Sequence, residues 1–464
     1  MPPTGNSASS RDVASLLHPQ TNWRAHEQQG AFVVTRGEGV RVFDENGKDY
    51  IEAMAGLWCA SLGFSEKRLV EAATKQMSTL PYYHIYTHKS HDPGIELAER
   101  VLKMAPVPMS KVFFANSGSE ANDTVIRMVW YYNNALGRPK KKKFISRQRA
   151  FHGSTLMAGS LTGITALHRE FDLPLPYVSH TDCPHFYRGG LPGETEEQFA
   201  TRLADNLEKM IVAEGGAETC AAFIAEPVMG AGGVVVPPAT YFEKIQKVLA
   251  KYDMLMVADE VICGFGRTGN MFGCQTFGIK PDIMVVAKAL SSAYLPISGI
   301  LVNDKVYQGM ADNSAKVGSF GHGFTYSAHP VAAAVAVETL RIYEERDIVG
   351  HIKSVAPALQ AGLRRFADHP LVGEVRGVGL VGAVEVVRDK ATREAFKPEE
   401  KVGPSIAKAA EQHGLIVRAM GDSIGFSPPL IITESEIGEM LSRFGKALDD
   451  VWAGMQRQGL KPAA

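Results

Sequence analysis

Short runs of consecutive apolar residues, separated by stretches with helical periodicity, dominate the middle of the chain: Val112 to Phe114, Phe144-Ile145, Ala221 to Ala225, Met254 to Ala258 and Ile283 to Ala287. Strands apolar along their whole length are covered on both faces, and helical stretches between them act as crossovers, so this rhythm predicts a mostly parallel sheet. Upstream the pattern differs. From Val33 to Ala53 it alternates (Val40, Val42, then Tyr50-Ile51) around Asn46-Gly47, a pair suited to the positive φ angles of a tight turn, and a hairpin is predicted. After Pro330 a long Ala/Val/Leu helix is predicted over Val331 to Glu345, then another helical stretch, then paired strands from Val372 to Val387. These look like a second, smaller α+β domain.

The 464 residues are 45% hydrophobic and 21% charged, enough for a large core and, by length, roughly two to three domains. Lys and Arg number 49 against 50 Asp and Glu, so no global field points to nucleic acid or an anionic membrane. The basic run Arg138 to Lys143 reads as a solvated loop. Cys59, Cys183, Cys220, Cys263 and Cys274 lie far apart, an odd count that fits reduced thiols and a cytoplasmic setting. Met1 to Ser10 is polar, has no apolar core for a signal peptide and reads as a loose tail. No uninterrupted apolar stretch approaches the roughly 18 residues of a membrane span.

The candidate chemistry sits at the ends of the apolar runs. Asp259 follows Met254 to Ala258, which places it at the carboxyl end of a central strand, where ligands of open parallel sheets bind. A carboxylate buried there needs a cation or strong donors. Lys288 ends the next run, where desolvation favours the neutral, nucleophilic amine. Together they suit the two poles of pyridoxal 5′-phosphate (PLP), the acid at the ring nitrogen and the amine on the aldehyde carbon. Ala115 to Asn122 (Ala-Asn-Ser-Gly-Ser-Glu-Ala-Asn) lies between a predicted strand and a helix running to about Leu136, so its backbone amides and the Ser117 and Ser119 hydroxyls suit a phosphate. The same residues also read as a plain helix cap.

With Asp-Glu-Val-Ile-Cys-Gly-Phe-Gly-Arg-Thr-Gly at 259 to 269 and the lysine downstream, the chain resembles the class III aminotransferases from about Trp23 to Leu430, and among them the ω-amino acid or amine:pyruvate transaminases. The resemblance implies the PLP fold type I: an N-terminal segment at 1–75 joining the small domain, a large α/β cofactor-binding domain with a mostly parallel central sheet at 76–330, and a small α+β domain at 331–464. It implies that Lys288 forms the internal aldimine and shuttles a proton, that Asp259 pairs with the ring nitrogen, that Val261 and Phe151 cover the two ring faces, and that Ser117, Gly118 and Ser119 hold the phosphate. His152, Glu226 and Ile262 join the cofactor's surroundings by the same resemblance. Thr325, in Gly-His-Gly-Phe-Thr-Tyr-Ser-Ala-His-Pro, would bind the phosphate of the neighbouring subunit in a homodimer, with tetramers left open.

On the substrate side the resemblance implies lining by Leu57, Trp58, Tyr86, Phe151 and Ala231, and makes Arg418 a mobile partner for a substrate carboxylate. An arginine suits that role because its planar fork grips a carboxylate with two bonds. Relatives acting on ornithine or 4-aminobutyrate carry an acid where Ala231 stands, so alanine favours the amine:pyruvate branch. Two departures stand out. Phe151 replaces the usual tyrosine and so loses a phenol hydroxyl, and Met229 replaces a glutamine that hydrogen-bonds the cofactor's phenolic oxygen. The expected function is transfer of an amino group from a primary amine or ω-amino acid to pyruvate. Alternatives are a 2-oxoglutarate-dependent aminotransferase, a decarboxylase or an epimerase on the same fold, or a cofactor-binding regulator.

Two other patterns carry no chemistry. Gly377 to Gly382 spells a dinucleotide fingerprint but runs into a strand and not a helix, and reads as a glycine-rich strand pair. His84, His88 and His91 have helical spacing, yet Pro81 and Pro93 bracket an irregular stretch, so no metal is expected.

Overall fold

The computed structural model describes residues 6–457. Its centre is a seven-stranded sheet built from β4 (Lys111–Ala115), β5 (Lys143–Arg147), β6 (Val178–Thr181), β7 (Cys220–Ala225), β8 (Leu255–Asp259), β9 (Ile283–Val286) and β10 (Ser298–Val302), in the order β4-β10-β9-β8-β7-β5-β6. Only β10 runs against its neighbours. Every residue of β7, β8 and β9 is buried. Successive side chains enter opposite layers: Phe223, Met256 and Met284 join one apolar cluster, Ile224, Val257 and Val285 the other. That is the burial on both faces expected of strands with uninterrupted apolar runs.

The hairpin forms between β2 (Arg41–Asp44) and β3 (Asp49–Glu52), with β1 (Val34–Glu38) alongside β2. Gly47 takes φ 81°, and Asp44 Oδ1 accepts from the Asn46 and Lys48 amides at 2.8 and 3.0 Å. The fourth strand of this sheet is β13 (Leu415–Ile416), which runs parallel to β3 and so ties the N-terminal part to the C-terminal part. The helix Pro330–Glu345 and a second one at Ile348–Arg364 precede the pair β11 (Val372–Val378) and β12 (Val381–Val386), which share a sheet with β14 (Arg418–Met420) and β15 (Ser423–Phe426). Gly377 lies opposite Gly382 in the β11–β12 ladder, the strand pair expected in place of a nucleotide site.

Two local expectations are corrected. Residues 1–5 lie outside the described residues, but Ser7 caps a helix at Ala8–Ser15, so 8–10 are not loose tail. In the basic run, Lys141 is not solvated. Its side chain is 3% exposed and its ammonium donates to the Tyr252 carbonyl at 3.1 Å, while Lys143 enters β5 and pairs with Glu214. All five cysteines are free thiols. Among the described residues no helix is long and apolar enough to cross a membrane.

Candidate active site

The carboxyl ends of β4, β5, β7, β8 and β9 all open on one side of the sheet, and the chemistry-bearing residues follow them directly. Asp259 is the last residue of β8 and is 3% exposed. Its Oδ2 accepts from Asn122 Nδ2 at 3.0 Å and from His152 Nδ1 at 2.7 Å, and its Oδ1 from the Val261 amide at 3.1 Å. With Nδ1 of His152 donating, Nε2 is left as a buried ring nitrogen without a partner. Oδ1, with that one donor, keeps a spare acceptor position.

Lys288 follows β9 with φ 49°, a left-handed backbone that costs a non-glycine residue strain and is tolerated mainly where a site demands it. Burial pushes its amine below the ordinary lysine value of 10.5, only partly opposed by Cys59, Asp259 and Glu226. Glu226, after β7, accepts from the Phe151 and Gly230 amides at 3.1 and 2.9 Å, and burial pushes its carboxyl up. Glu260 turns away from the site, accepting from the Gly273 and Cys274 amides at 2.9 and 2.6 Å.

These side chains line two cavities that meet at Lys288, Phe151 and Ile262. The smaller, about 120 Å³, is lined by Gly118, Ser119, Asn122, Phe151, His152, Gly153, Glu226, Asp259 and Val261 as well. Gly153 sits at φ 140°, and a Cβ there would fall 2.6 Å from Ser119 Oγ, so only glycine lets this turn close on the start of the helix Gly118–Ala135. Ser119 Oγ accepts from the Ser154 amide at 3.0 Å. Ser117 lies outside the cavity and caps the helix, accepting from the Glu120 amide at 3.1 Å. The larger cavity, about 660 Å³, takes in Leu57, Trp58, Ala231, Gly232 and Arg418. Arg418 opens β14 half-buried, burial lowers its pKa, and among the described residues it makes no ion pair.

Tyr86 and Thr325 are not brought into either cavity of this chain. Both are exposed: Thr325 offers its carbonyl to Tyr82 Oη at 2.9 Å, and Tyr86 packs against Gly323. Met229 is fully buried against Ala150 and Val235. His91 caps the helix Asp92–Met104 through Nδ1, and it does not group with His84 and His88. The sequence carried no signal for several residues that the fold adds. Asn122, the last residue of the predicted phosphate stretch, reaches Asp259 from the first turns of the helix. Arg149, at φ 68°, lines the larger cavity with its guanidinium 3.5 Å from His185 Nδ1. Pro19 and Gln20 line it too.

A doubly covered parallel sheet with a buried lysine, a hydrogen-bonded carboxylate and free helix-start amides around one narrow cavity defines a PLP-binding enzyme. The residues fit that cofactor: a carboxylate oxygen with a spare acceptor position, a primary amine, anion-accepting amides at Gly118 and Ser119, and Val261 and Phe151 facing the space between. Residues 23–448 match the class III aminotransferase family, and the chain belongs to it.

Gamma aminobutyrate transaminase 3, chloroplastic, of Solanum lycopersicum is 54% identical over 437 residues, covering 94% of this chain and 84% of that protein. Vanillin aminotransferase of Capsicum chinense is 52% identical over 437 residues, covering 94% and 95%. The crystal structure of the omega transaminase from Pseudomonas jessenii in complex with PMP is 58% identical with a TM-score of 0.96, covering 98% of this chain and 100% of that one.

Proposed function

We propose that this PLP-dependent aminotransferase moves an amino group from a primary amine or ω-amino acid to pyruvate, giving alanine. The observation that carries the reading is the pairing in the larger cavity of Arg418, free of any carboxylate partner among the described residues, with Ala231 where an acid would otherwise hold it. A short α-keto acid presents one carboxylate, which one guanidinium fork satisfies. The relatives named for gamma-aminobutyrate support an ω-amino acid donor, and the apolar wall of Leu57, Trp58, Phe151 and Ile262 suits an uncharged donor substituent.

Bound in the smaller cavity, the cofactor supplies the electron sink that acidifies the substrate carbon. Lys288 Nζ, whose charged form burial disfavours, would take the proton from that carbon and pass it to C4′ of the cofactor. Asp259 holds positive charge at the ring nitrogen, and His152 and Asn122 hold Asp259 in place. Gly118 and Ser119 amides bind the phosphate. Phe151 and Val261 cover the ring and, with Ile262, exclude water.

The proposed active unit is a homodimer in which Thr325 of the partner subunit completes the phosphate site and Tyr86 reaches the partner's substrate cavity. What supports it is that Thr325 and Tyr86 lie exposed beside Tyr82, Tyr83 and Tyr326, an aromatic surface that a second chain would cover. The domain division at 75 and 330, and a cytoplasmic location suited to five free thiols, stay parts of this reading.

A panel of amines and ω-amino acids assayed with pyruvate and with 2-oxoglutarate tests the function, and no alanine from any donor would sink it. Arg418→Ala is expected to lower kcat/KM for pyruvate about 10- to 100-fold, since charge-assisted bonds contribute about 1.5–3 kcal/mol. A donor without a carboxylate should change far less, and equal losses would remove Arg418 from carboxylate recognition.

The lowered pKa of Lys288 also has a readout. In cofactor-free protein the rate of PLP capture is expected to rise with pH and reach half its plateau below 10.5, because the neutral amine is the reactive form. Stopped-flow absorbance measures it, and a midpoint at or above that value contradicts the burial argument.

A further inference from the structure

Away from the active site, three polar side chains near the N-terminus converge on one point. Asp12 lies in the helix Ala8–Ser15, His26 in the helix Trp23–Gln29, and His18 in the segment between them. Asp12 Oδ2 is 2.8 Å from His18 Nε2 and 2.9 Å from His26 Nε2, and the two rings lie 4.2 Å apart. All three donor atoms fall within 4.8 Å of one another. The side chains are sheltered, with exposures of 17% for Asp12, 29% for His18 and 14% for His26.

Little else holds this segment. Ser10 is the one buried residue of the first helix, the second has none, and Leu16, Leu17 and Trp23 are 60%, 70% and 53% exposed. Apolar burial therefore contributes little to its order, and its other ties are single hydrogen bonds such as Ala31 N to Ser9 Oγ at 2.9 Å and Trp23 Nε1 to the His18 carbonyl at 2.8 Å. The segment nevertheless shapes the reaction space, because Pro19 and Gln20, next to His18, line the substrate cavity with Leu57, Trp58 and Arg418.

We propose that Asp12, His18 and His26 form a zinc site that staples the two helices of residues 8–29 to each other and so fixes the turn carrying Pro19 and Gln20 at the substrate cavity. Two imidazoles and a carboxylate are donors that zinc takes at about 2.0–2.2 Å, with a water in the fourth position. Tetrahedral bonds of that length set ligand atoms roughly 3.3 Å apart, so the observed 2.8 and 2.9 Å need to open by only a few tenths of an ångström. Neutral imidazoles bind through Nε2 once their proton sits on Nδ1, and zinc takes over the role that the two hydrogen bonds to Asp12 now fill.

Among the described residues the other cluster of this kind, His185 with Glu374 and Glu385, is different. There the Arg376 guanidinium already bonds both carboxylates and supplies the positive charge a metal would bring.

The test titrates zinc into the PLP-loaded full-length protein after a chelator has stripped it. One ion per chain is expected, with binding weakened at least about 10-fold in His26→Ala and in Asp12→Ala, since loss of even an outer-sphere partner costs roughly 10- to 100-fold. Zinc should also slow protease cleavage within 8–29 in the wild type and not in His26→Ala. An absence of binding, or binding equal in wild type and both variants because zinc sits on other histidines or on cysteines, overturns the site. Binding without protection from cleavage overturns the staple.

Discussion

Replacing Lys288 with alanine is expected to lower transamination by at least about 10²- to 10⁴-fold, the range a positioned acid–base group contributes, and further because the same amine is the covalent anchor of the cofactor. Among the described residues, Lys288 is the one lysine that lines either cavity, and it stands where the two join beside Phe151 and Ile262. The fold should survive, since alanine meets the φ of 49° with no more strain than lysine does and removes a buried amine that burial already disfavours in its charged form. The decisive measurement combines steady-state turnover, thermal melting and borohydride reduction followed by peptide mass. The wild-type chain should keep a reduced cofactor on the peptide containing Lys288, and the variant should melt normally and keep none. A folded variant with more than a tenth of wild-type turnover would falsify the assignment.

Asp259→Asn should cost about 10- to 10³-fold in turnover. An opposite charge in contact shifts a partner's pKa by roughly 1–3 units, so removing it lowers the fraction of cofactor with a protonated ring nitrogen by that factor. Asparagine keeps the size and the acceptor toward the Val261 amide, so cofactor binding should weaken less than turnover does. Asn122→Ala, which removes one of the three donors to the Asp259 carboxylate, should have a much smaller effect, about fivefold for a hydrogen bond near 1 kcal/mol. Comparing the three proteins at saturating cofactor separates the charge from its support. Equal losses in both variants would mean that position matters and charge does not.

The residues on strand ends were legible because their signals are local. An apolar run followed by Asp259 or Lys288 needs no knowledge of the rest of the chain. Residues supporting them were not. Asn122 looks like any polar residue early in a helix, and its contact with Asp259 spans 137 positions. Arg149, Pro19 and Gln20 enter the substrate cavity only because distant segments are folded onto it. Ser117 shows how one residue carries two signals, since its hydroxyl caps the helix at the start of the predicted phosphate loop.

Strand β10 was missed for a related reason. Ser298–Val302 is a short apolar run among several, and nothing local says that it inserts antiparallel between β4 and β9.

Periodicity and strand-end chemistry, written into neighbouring residues, were thus enough for a mostly parallel sheet and a PLP pair, and the motif at 259–269 with its downstream lysine carried the resemblance to a family. Strand order, the junction of two cavities at Lys288, the exposed placing of Thr325 and Tyr86, and the meeting of Asp12 with two histidines came only with the tertiary structure. They depend on contacts between segments far apart in the chain, and no local pattern encodes which distant surfaces will pack together.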